Sequence, residues 1–385
     1  MFVESIFNQK ITMRHEALSI TNMSLSEIEE ICVSLNEERY HARQICSWIY
    51  KHGAYSFEEM TNIPKSLRSL LHEKYSLFQS KIETVVKDVD GTEKFLIHLH
   101  DDNIIESVLI RDKQRITACL SSQVGCASAC GFCASGLHGL VRNLQAGEIV
   151  EQLVHMKNSL PGGESVSNVV LMGIGEPLAN YDNVLKAIRI INADWGLGIG
   201  ARKITVSTIG LIKGIKRLAT EGLQVNLSIS LHAPNDIIRN LIVPINKGTG
   251  IRNILLASHE YFEKTGREVT FEYLLIDGVN SSTENAKELA EKLKNYQCNI
   301  NVIPLNPVPE FTYKPPSEKK IEAFCAVLKK AGLNVNLRRK KGSGINAACG
   351  QLRLEFGKRA CSAGWHGGAT RPVDGSCLSV PSLIL

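Results

Sequence analysis

The chain has 385 residues, of which 44% are hydrophobic and 22% charged, a balance typical of a soluble globular protein with a full core. No apolar run is long enough to span a bilayer, and residues 1–16 are too polar for a secretory signal. We therefore exclude a membrane protein and predict a cytoplasmic one. The net charge of +5 permits a polyanionic partner without requiring one.

Residues 24–75 carry the apolar periodicity of helices, with steps of three and four residues through Ile28 and Ile31 and again through Ile45 and Ile49. Pro64 predicts a boundary between two helices. Basic residues recur along the same stretch, namely Arg39, Arg43, Lys51, Lys65 and Arg68. The sequence therefore predicts a small helical domain with a basic face.

The pattern changes to strands after residue 81. The segment IETVVKDVDGTEKFLIHL predicts a β-hairpin that turns at Asp90 and Gly91, and IIESVLI predicts another strand. From Arg115 onward six strands alternate with amphipathic helices; the strands are ITACLSS, NVVLMGI, KITVST, QVNLSISLH, VTFEYLLI and NINVIPLN. This alternation predicts an α/β fold with a parallel sheet, open or closed into a barrel. Ligands of such folds bind at the carboxyl ends of the strands.

These segments predict four parts of the chain. They are a helical accessory domain over residues 1–81, a hairpin and strand extension over 82–112, an enzymatic core over 113–353 and a tail over 354–385. The tail is rich in Gly, Ser and Pro, which predicts little independent structure. It contains Cys361 and Cys377, to which the sequence assigns no role.

Cysteine spacing supplies the sharpest chemical signal. The eleven cysteines do not form a disulfide framework, but CASACGFC places Cys126, Cys130 and Cys133 at C-x3-C-x2-C spacing directly after a strand. Three thiolates suit a soft metal centre and leave one iron of a [4Fe–4S] cluster without a protein ligand. The alternative is a structural zinc ion, for which His138 would complete a Cys3His set.

The cysteine cluster, with SSQVGC before it and RNLQAGEIVEQ after it, resembles the radical S-adenosylmethionine superfamily. More narrowly, the chain resembles the RNA adenine methyltransferases of the methylsynthase type. The resemblance implies a partial (β/α)6 barrel with a helix-hairpin-helix-like accessory domain. It also implies one [4Fe–4S] cluster per chain and two molecules of S-adenosylmethionine per turnover. Electrons would come from a donor such as flavodoxin, and the protein would act as a monomer.

The same resemblance assigns S-adenosylmethionine contacts to the ends of the predicted strands. Gly175 and Glu176, in GIGEPL, would border the methionine end of the cofactor, and glycine there lets backbone approach a ligand. Further contacts are implied at Ser207, Ser230, Leu231, His232 and Asn306. The alternative for GIGE alone is an ordinary strand-to-helix turn.

Two cysteines outside the cluster are candidate catalytic residues. Strand alternation puts Thr117, Cys119 and Ser121 on one, polar face. By resemblance, Cys349 is methylated and then donates a one-carbon unit after a 5′-deoxyadenosyl radical removes a hydrogen atom. Cys119 then releases the product through a transient disulfide bond, and Glu106 accepts a proton. The alternatives are inert buried thiols and a surface carboxylate.

The resemblance implies RNA substrates, with methylation at C2 of adenine 2503 in 23S rRNA and of adenine 37 in tRNAs. The basic run at 338–341 and the helical domain would bind phosphates, although such a run is also typical of a solvated surface. Residues 342–346, GSGIN, lack the acidic residues common in the family, which predicts a looser loop. Two alternatives stay open: a sister enzyme that methylates C8 and confers antibiotic resistance, and a non-catalytic metal- and RNA-binding protein.

Overall fold

The computed structural model describes residues 18–338, 341–353 and 355–356, the last two by backbone alone. The helices are α1 Leu25–Ser34, α2 Tyr40–Ser47, α3 Lys65–Lys74, α4 Ala146–Asn158, α5 Tyr181–Asn192, α6 Ile212–Leu218, α7 Asp236–Ile242, α8 Ile251–Thr265, α9 Thr283–Leu293 and α10 Glu318–Lys330. Within the described residues, no helix combines the length and apolar character that a bilayer crossing needs.

The strands are mostly short. They are β1 Leu18–Ser19, β2 Tyr75–Ser76, β3 Ser80–Lys87, β4 Glu93–Leu99, β5 Asn103–Asp112, β6 Arg115–Cys119, β7 Gln123–Gly125, β8 Leu140–Asn143, β9 Asn168–Leu171, β10 Ile204–Thr208, β11 Asn226–Ser230, β12 Val269–Leu275, β13 Cys298–Pro304, β14 Asn334–Leu337 and β15 Glu355–Phe356.

The helical prediction for the region before residue 75 is confirmed by α1, α2 and α3. Ser24 and Glu27 form a reciprocal capping box that begins α1, and Pro64 precedes the first residue of α3. The β1–β2 pair joins the two ends of this region, and the fully buried Glu151 of α4 connects the region to the rest of the chain. The carboxylate of Glu151 accepts hydrogen bonds from Thr21 Oγ1 at 2.5 Å and from the amide of Gln79 at 3.1 Å.

One large sheet forms the centre of the molecule, in the order β14-β13-β12-β11-β10-β9-β6-β5-β4-β3. Strand β6 and the strands from β9 to β14 are parallel, whereas β3, β4 and β5 continue the sheet in antiparallel fashion. No pairing joins β14 to β3 among the described residues, so the barrel is open. The six predicted strands are confirmed. Strand β14 was not predicted, because its four residues are too short to show a period.

The predicted hairpin is present, with its turn over residues 88–92. Gly91 has a φ of 81°, which the tight turn requires, and the amide of Asp88 donates to the carbonyl of Thr92 at 2.8 Å. Strands β4 and β5 then pair onwards to β6, so residues 82–112 belong to the same sheet as the parallel strands.

Apolar side chains fill the space between the sheet and its outer helices. Helix α5 shows the principle, because Val184, Ile188 and Ile191 recur at helical spacing and are all buried. Burial of side chains of this size contributes about 1.5–3 kcal/mol each. This packing holds the carboxyl ends of the parallel strands in fixed positions around one cleft.

Candidate active site

One cleft lies at the carboxyl ends of the parallel strands, as the α/β pattern predicts. The cysteine loop, the strand ends and the loop after β14 all contribute to its walls. Its lining includes Cys126, Cys130, Cys133, Gly175, Glu176, Ser207, Ser230, His232, Glu272, Arg338 and Cys349. Most of the residues predicted to form the site are therefore brought together.

The cysteine loop follows β7 and is held by the β7–β8 hairpin. The amide of Cys126 donates to the carbonyl of Gly139 at 2.8 Å, and Ala129 adopts a φ of 48°, a strained value for alanine. Burial raises the pKa of Cys130 well above its ordinary value, and the negative charges of Cys133 and Cys126 raise it further. A cationic centre between the three sulfur atoms relieves both penalties, so these residues fit an iron–sulfur cluster.

The zinc alternative requires His138 as the fourth ligand. His138 is exposed and lies outside the residues that line the cleft, so the geometry does not support a Cys3His set.

Glu176 ties two strand ends together. Its carboxylate accepts hydrogen bonds from the amides of Leu178 at 3.0 Å and Ile209 at 2.7 Å, while burial raises its pKa to about 7. Gly175 has a φ of 106°, and a Cβ atom there would lie 2.6 Å from Cβ of Gln123. Glycine at 175 is therefore required by packing against the protein itself, whereas the sequence suggested close approach to a ligand.

His232 is held in one tautomer. Its φ is 61°, its ring meets Phe132 edge-on at 5.1 Å, and its Nδ1 accepts from the amide of Leu274 at 3.1 Å. Burial lowers the pKa of His232 to about 3, and the positive charge of Arg239 acts in the same direction. The neutral ring therefore carries its hydrogen on Nε2, which leaves this atom as a donor.

Two of the predicted cofactor contacts do not line the cleft. Leu231 is buried in the main core, so its side chain is structural. Asn306 lies behind the cleft, where its Nδ2 donates to the carbonyl of Cys349 at 3.2 Å. Its buried Oδ1 has no hydrogen-bond partner among the described residues, so it can accept a further hydrogen bond.

Two residues of the cleft lining, Glu272 and Arg338, were not predicted from the sequence as site residues. Glu272, in β12, is buried, and its Oε1 accepts from Ser228 at 2.7 Å and Asn301 at 2.9 Å. Arg338 belongs to the basic run that is expected to bind phosphates or to form a solvated surface, but its side chain lines the cleft, with Nη1 3.7 Å from Oε1 of Glu272. A glutamate inside the apolar segment VTFEYLLI was the available signal. Arg339 and Lys340 lie outside the described residues.

Cys349 and Cys119 occupy different depths. Cys349 is exposed on the cleft wall, where surrounding protein raises its pKa and the positive charge of Arg338 opposes that rise. Cys119 is buried behind it, and burial together with the charge of Cys349 raises its pKa to about 12. The apolar neighbours of Cys119 include Val108 and Ala347, while the charges of Cys349 and Arg338 also act on it. All nine described cysteines are free.

Glu106 is fully buried and is not a surface carboxylate. Its Oε1 lies 2.6 Å from Nζ of Lys94, and its Oε2 accepts from the amide of Arg353 at 2.8 Å. It lies outside the cleft lining, on β5 two residues from Val108, which pairs with Cys119. Lys94 and the amide of Arg353 therefore hold this carboxylate in one position.

The loop of residues 341–353 is anchored at both ends. The amides of Gly342 and Gly344 donate to the carboxylates of Asp90 and Asp88, at 2.9 and 3.0 Å. The carbonyl of Gly350 accepts from the amide of Ala134 in the cysteine loop at 2.8 Å. The predicted looser loop is wrong, because the β3–β4 turn supplies the acidic groups that the loop itself lacks.

An open parallel barrel with a three-cysteine loop at its strand ends defines a radical S-adenosylmethionine protein, and the family described as "Radical SAM superfamily" matches residues 120–290. A radical SAM methyltransferase from Sphaerobacter thermophilus superposes with a TM-score of 0.85 at 43% identity, over 87% of this chain and 99% of that one. Residues 18–77 match the family described as "Ribosomal RNA large subunit methyltransferase N-terminal domain".

Curated relatives narrow the class. A probable dual-specificity RNA methyltransferase RlmN from Rhodopirellula baltica is 46% identical over 88% of this chain and 91% of its own length. Its counterpart from Alkaliphilus oremlandii is 48% identical over 88% of this chain and 98% of its own length. The chain belongs to the RlmN family of radical S-adenosylmethionine RNA methyltransferases.

Proposed function

We propose that this enzyme methylates C2 of adenine 2503 in 23S rRNA and of adenine 37 in tRNAs, the dual specificity that its relatives carry in their names. The observation that carries the proposal is the position of Cys349. Its thiol faces the cleft that the cysteine loop also lines, and Cys119 lies directly behind it. A methyl carrier and a thiol that can release it therefore share one wall.

Cys126, Cys130 and Cys133 would hold the [4Fe–4S] cluster. When bound, this cluster supplies the electron that cleaves S-adenosylmethionine to a 5′-deoxyadenosyl radical. The neighbouring residues would bind and orient the cofactor: His232 lines the cleft, and its Nε2–H is a donor there. Gly175, Glu176, Ser207 and Ser230 line the same cleft and would supply further contacts. Leu231 and Asn306 lie behind the lining, and they would contribute from there through the backbone of Leu231 and the unpaired Oδ1 of Asn306.

Cys349 would accept the first methyl group, which requires its thiolate. Arg338 faces this thiol from the end of β14, and its positive charge favours the thiolate. Asn306 holds the backbone carbonyl of Cys349, which orients the side chain towards the cofactor. A second molecule of S-adenosylmethionine per turnover then supplies the radical.

Cys119 would release the product. After losing its proton, its sulfur would form a bond to the sulfur of Cys349 as the bond between Cys349 and the adenine methylene breaks. The electron pair of the broken bond goes to the methylene carbon, which takes up a proton to become the methyl group, and a transient disulfide is left. A pKa near 12 keeps Cys119 protonated until that step, so the pair does not oxidise early. Glu106 would accept the proton that the adenine loses.

We propose that residues 1–81 form the accessory domain that binds RNA, with 82–112 as the sheet extension, 113–353 as the radical core and 354–385 as a tail. Exposed Arg39, Arg43 and Lys51 provide phosphate contacts on the accessory domain. We further propose a cytoplasmic monomer that receives electrons from a low-potential donor such as flavodoxin.

Anaerobic incubation with S-adenosylmethionine, reductant and 23S rRNA fragments or tRNA tests the proposal. Digestion and mass spectrometry should reveal 2-methyladenosine in both RNAs, and RNAs with guanosine at the target position should stay unmodified. 8-Methyladenosine would establish the sister activity instead. Unmodified RNA, together with no S-methylcysteine at Cys349, would indicate a non-catalytic binding protein.

A further inference from the structure

Arg239 of α7 is the largest fully buried side chain among the described residues. Its guanidinium donates only to neutral acceptors. Nε reaches the carbonyl of Leu231 at 2.9 Å, Nη1 reaches Oδ1 of Asn246 at 2.5 Å, and Nη2 reaches the carbonyl of Ile209 at 2.5 Å. Ser230 supplies one more carbonyl at 3.0 Å.

The charge of Arg239 is not cancelled by direct contact. No carboxylate of the described residues forms an ion pair with its guanidinium, whose direct partners are carbonyl and amide oxygens. Asp236, at the start of α7, acts on it only from farther away. Burial lowers the pKa of Arg239 to about 10, so the side chain stays charged at neutral pH. A buried cation without a contacting anion is costly, which calls for a compensating partner.

The cysteine loop lies against this cation. The amide of Gly131 donates to the carbonyl of Ile242, the last residue of α7, at 3.0 Å. Cys130, Ile209 and Ile242 belong to one buried apolar cluster, and the carbonyl of Ile209 is an acceptor of Arg239. The end of α7 that carries Arg239 therefore packs directly against the loop that carries Cys130.

We propose that Arg239 raises the reduction potential of the iron–sulfur cluster and so helps the cluster to accept the electron that starts each turnover. This inference rests on the proposed function, since it requires the cluster at Cys130. A cluster with thiolate ligands carries net negative charge, and reduction adds one more negative charge in a medium of low dielectric constant. A fixed cation nearby stabilises the reduced form more than the oxidised form.

A purely structural role is the competing explanation. Arg239 binds carbonyls at the ends of β10 and β11, so its loss would also loosen the strand ends that carry Ser230 and His232. The electrostatic role can be separated from the structural role at Asn246. This residue accepts from the guanidinium through its Oδ1, and an aspartate would keep an oxygen atom in that position. Asn246→Asp keeps that oxygen and adds a carboxylate that neutralises the cation, while the hydrogen bonds from Asn246 Nδ2 to Asp236 at 2.9 Å and to Asn240 at 2.7 Å are lost. Because the new carboxylate lies beside that of Asp236, the thermal unfolding temperature of this variant is measured together with its potential.

The test is a redox titration of the reconstituted full-length protein, followed by electron paramagnetic resonance of the reduced cluster. Two variants, Arg239→Gln and Asn246→Asp, should each decrease the ratio of reduced to oxidised cluster at a given potential by about tenfold, which equals about 59 mV for one electron. Arg189→Gln removes an exposed arginine from α5 and should leave the potential unchanged.

The outcomes separate three cases. A lowered potential in Asn246→Asp, with the native thermal unfolding temperature, supports the electrostatic role even where Arg239→Gln fails to assemble a cluster. An unchanged potential in a folded, cluster-loaded Asn246→Asp protein overturns the electrostatic role. Arg239 would then have only the structural role of binding the carbonyls at the ends of β10 and β11. Native protein that binds no cluster would refute the proposed function, and the inference with it.

Discussion

The cleft has two walls that are built in different ways. One, the strand-end wall, consists of the cysteine loop and the carboxyl ends of β9 to β13. The other, the thiol wall, consists of β5, β6 and residues 341–353. On the strand-end wall, polar groups such as Ser207 and His232 face the cleft directly. On the thiol wall the side chain of Cys349 lines the cleft together with Gly350, while Cys119 and Glu106 are buried behind them.

The contacts that hold the two walls differ in range. Glu176 receives the amide of Leu178 two residues ahead and the amide of Ile209 on the next strand. Glu106 receives the amide of Arg353, which is 247 positions away, and the turn at Asp88 and Asp90 holds the loop from a similar distance. The strand-end wall thus follows from the barrel itself. The thiol wall requires the antiparallel extension and the return loop to meet.

This difference leads to separable defects. Damage to the thiol wall should stop turnover while cluster and cofactor still bind, whereas damage to the strand-end wall should weaken cofactor binding. Substitutions on each wall test whether the two kinds of defect are separable.

Cys349→Ala should abolish methylation altogether, because no other cleft residue of the described chain carries a thiol outside the cysteine loop. The visible absorbance of the cluster should stay at the native level. Product is measured as 2-methyladenosine by mass spectrometry. Cys325→Ala, which alters a buried thiol in α10, is the matched control and should retain activity. Residual product from Cys349→Ala would exclude this residue as the methyl carrier.

Cys119→Ala should stop the reaction one step later. Without the releasing thiol, the RNA should remain attached to Cys349 and accumulate as a protein–RNA adduct that is visible on denaturing gels. Combining it with Cys349→Ala should eliminate the adduct, which identifies the attachment point. Continuous turnover by Cys119→Ala would show that another group releases the product.

Gly175→Ala should damage the strand-end wall. The positive φ and the approach to Cβ of Gln123 should lower the free energy of unfolding by about 2 kcal/mol and raise the KM for S-adenosylmethionine several-fold. Gly198→Ala is the matched control, since Gly198 has a φ of 69° but open space around its Cα. Equal effects of the two substitutions would show that backbone strain alone matters.

Glu151 tests the joint between the helical domain and the core. Burial raises its pKa from an ordinary 4.5 to about 7, so ionisation opposes folding. Its contribution to stability is complete below pH 4.5 and is lost as the pH rises to 7, by up to about 3 kcal/mol. Glu151→Gln should flatten this part of the unfolding profile, whereas Glu322→Gln, an exposed change in α10, should leave the slope intact.

The parts that the sequence predicted are local in the chain. The spacing of Cys126, Cys130 and Cys133 lies within one loop, and the GIGE turn follows its own strand. Alternation along the chain was also sufficient for six parallel strands, because each strand and helix carries its own period. The four residues of β14 are too few to show a period, so neither this strand nor the position of Arg338 at its end was predicted.

The folded chain brings together groups whose partners cannot be recognised in the sequence. It places Glu106 in a buried ion pair with Lys94, and it supplies Asp88 and Asp90 to a loop that has no acidic residues. It also sets the charge of Arg239, which no described carboxylate contacts, beside the strand end at Ile209. The family, the cluster motif and the candidate thiols follow from the sequence alone. Burial and charge pairing do not, because they depend on contacts between different strands and loops, some of them more than 200 residues apart, which leave no periodic pattern in the chain.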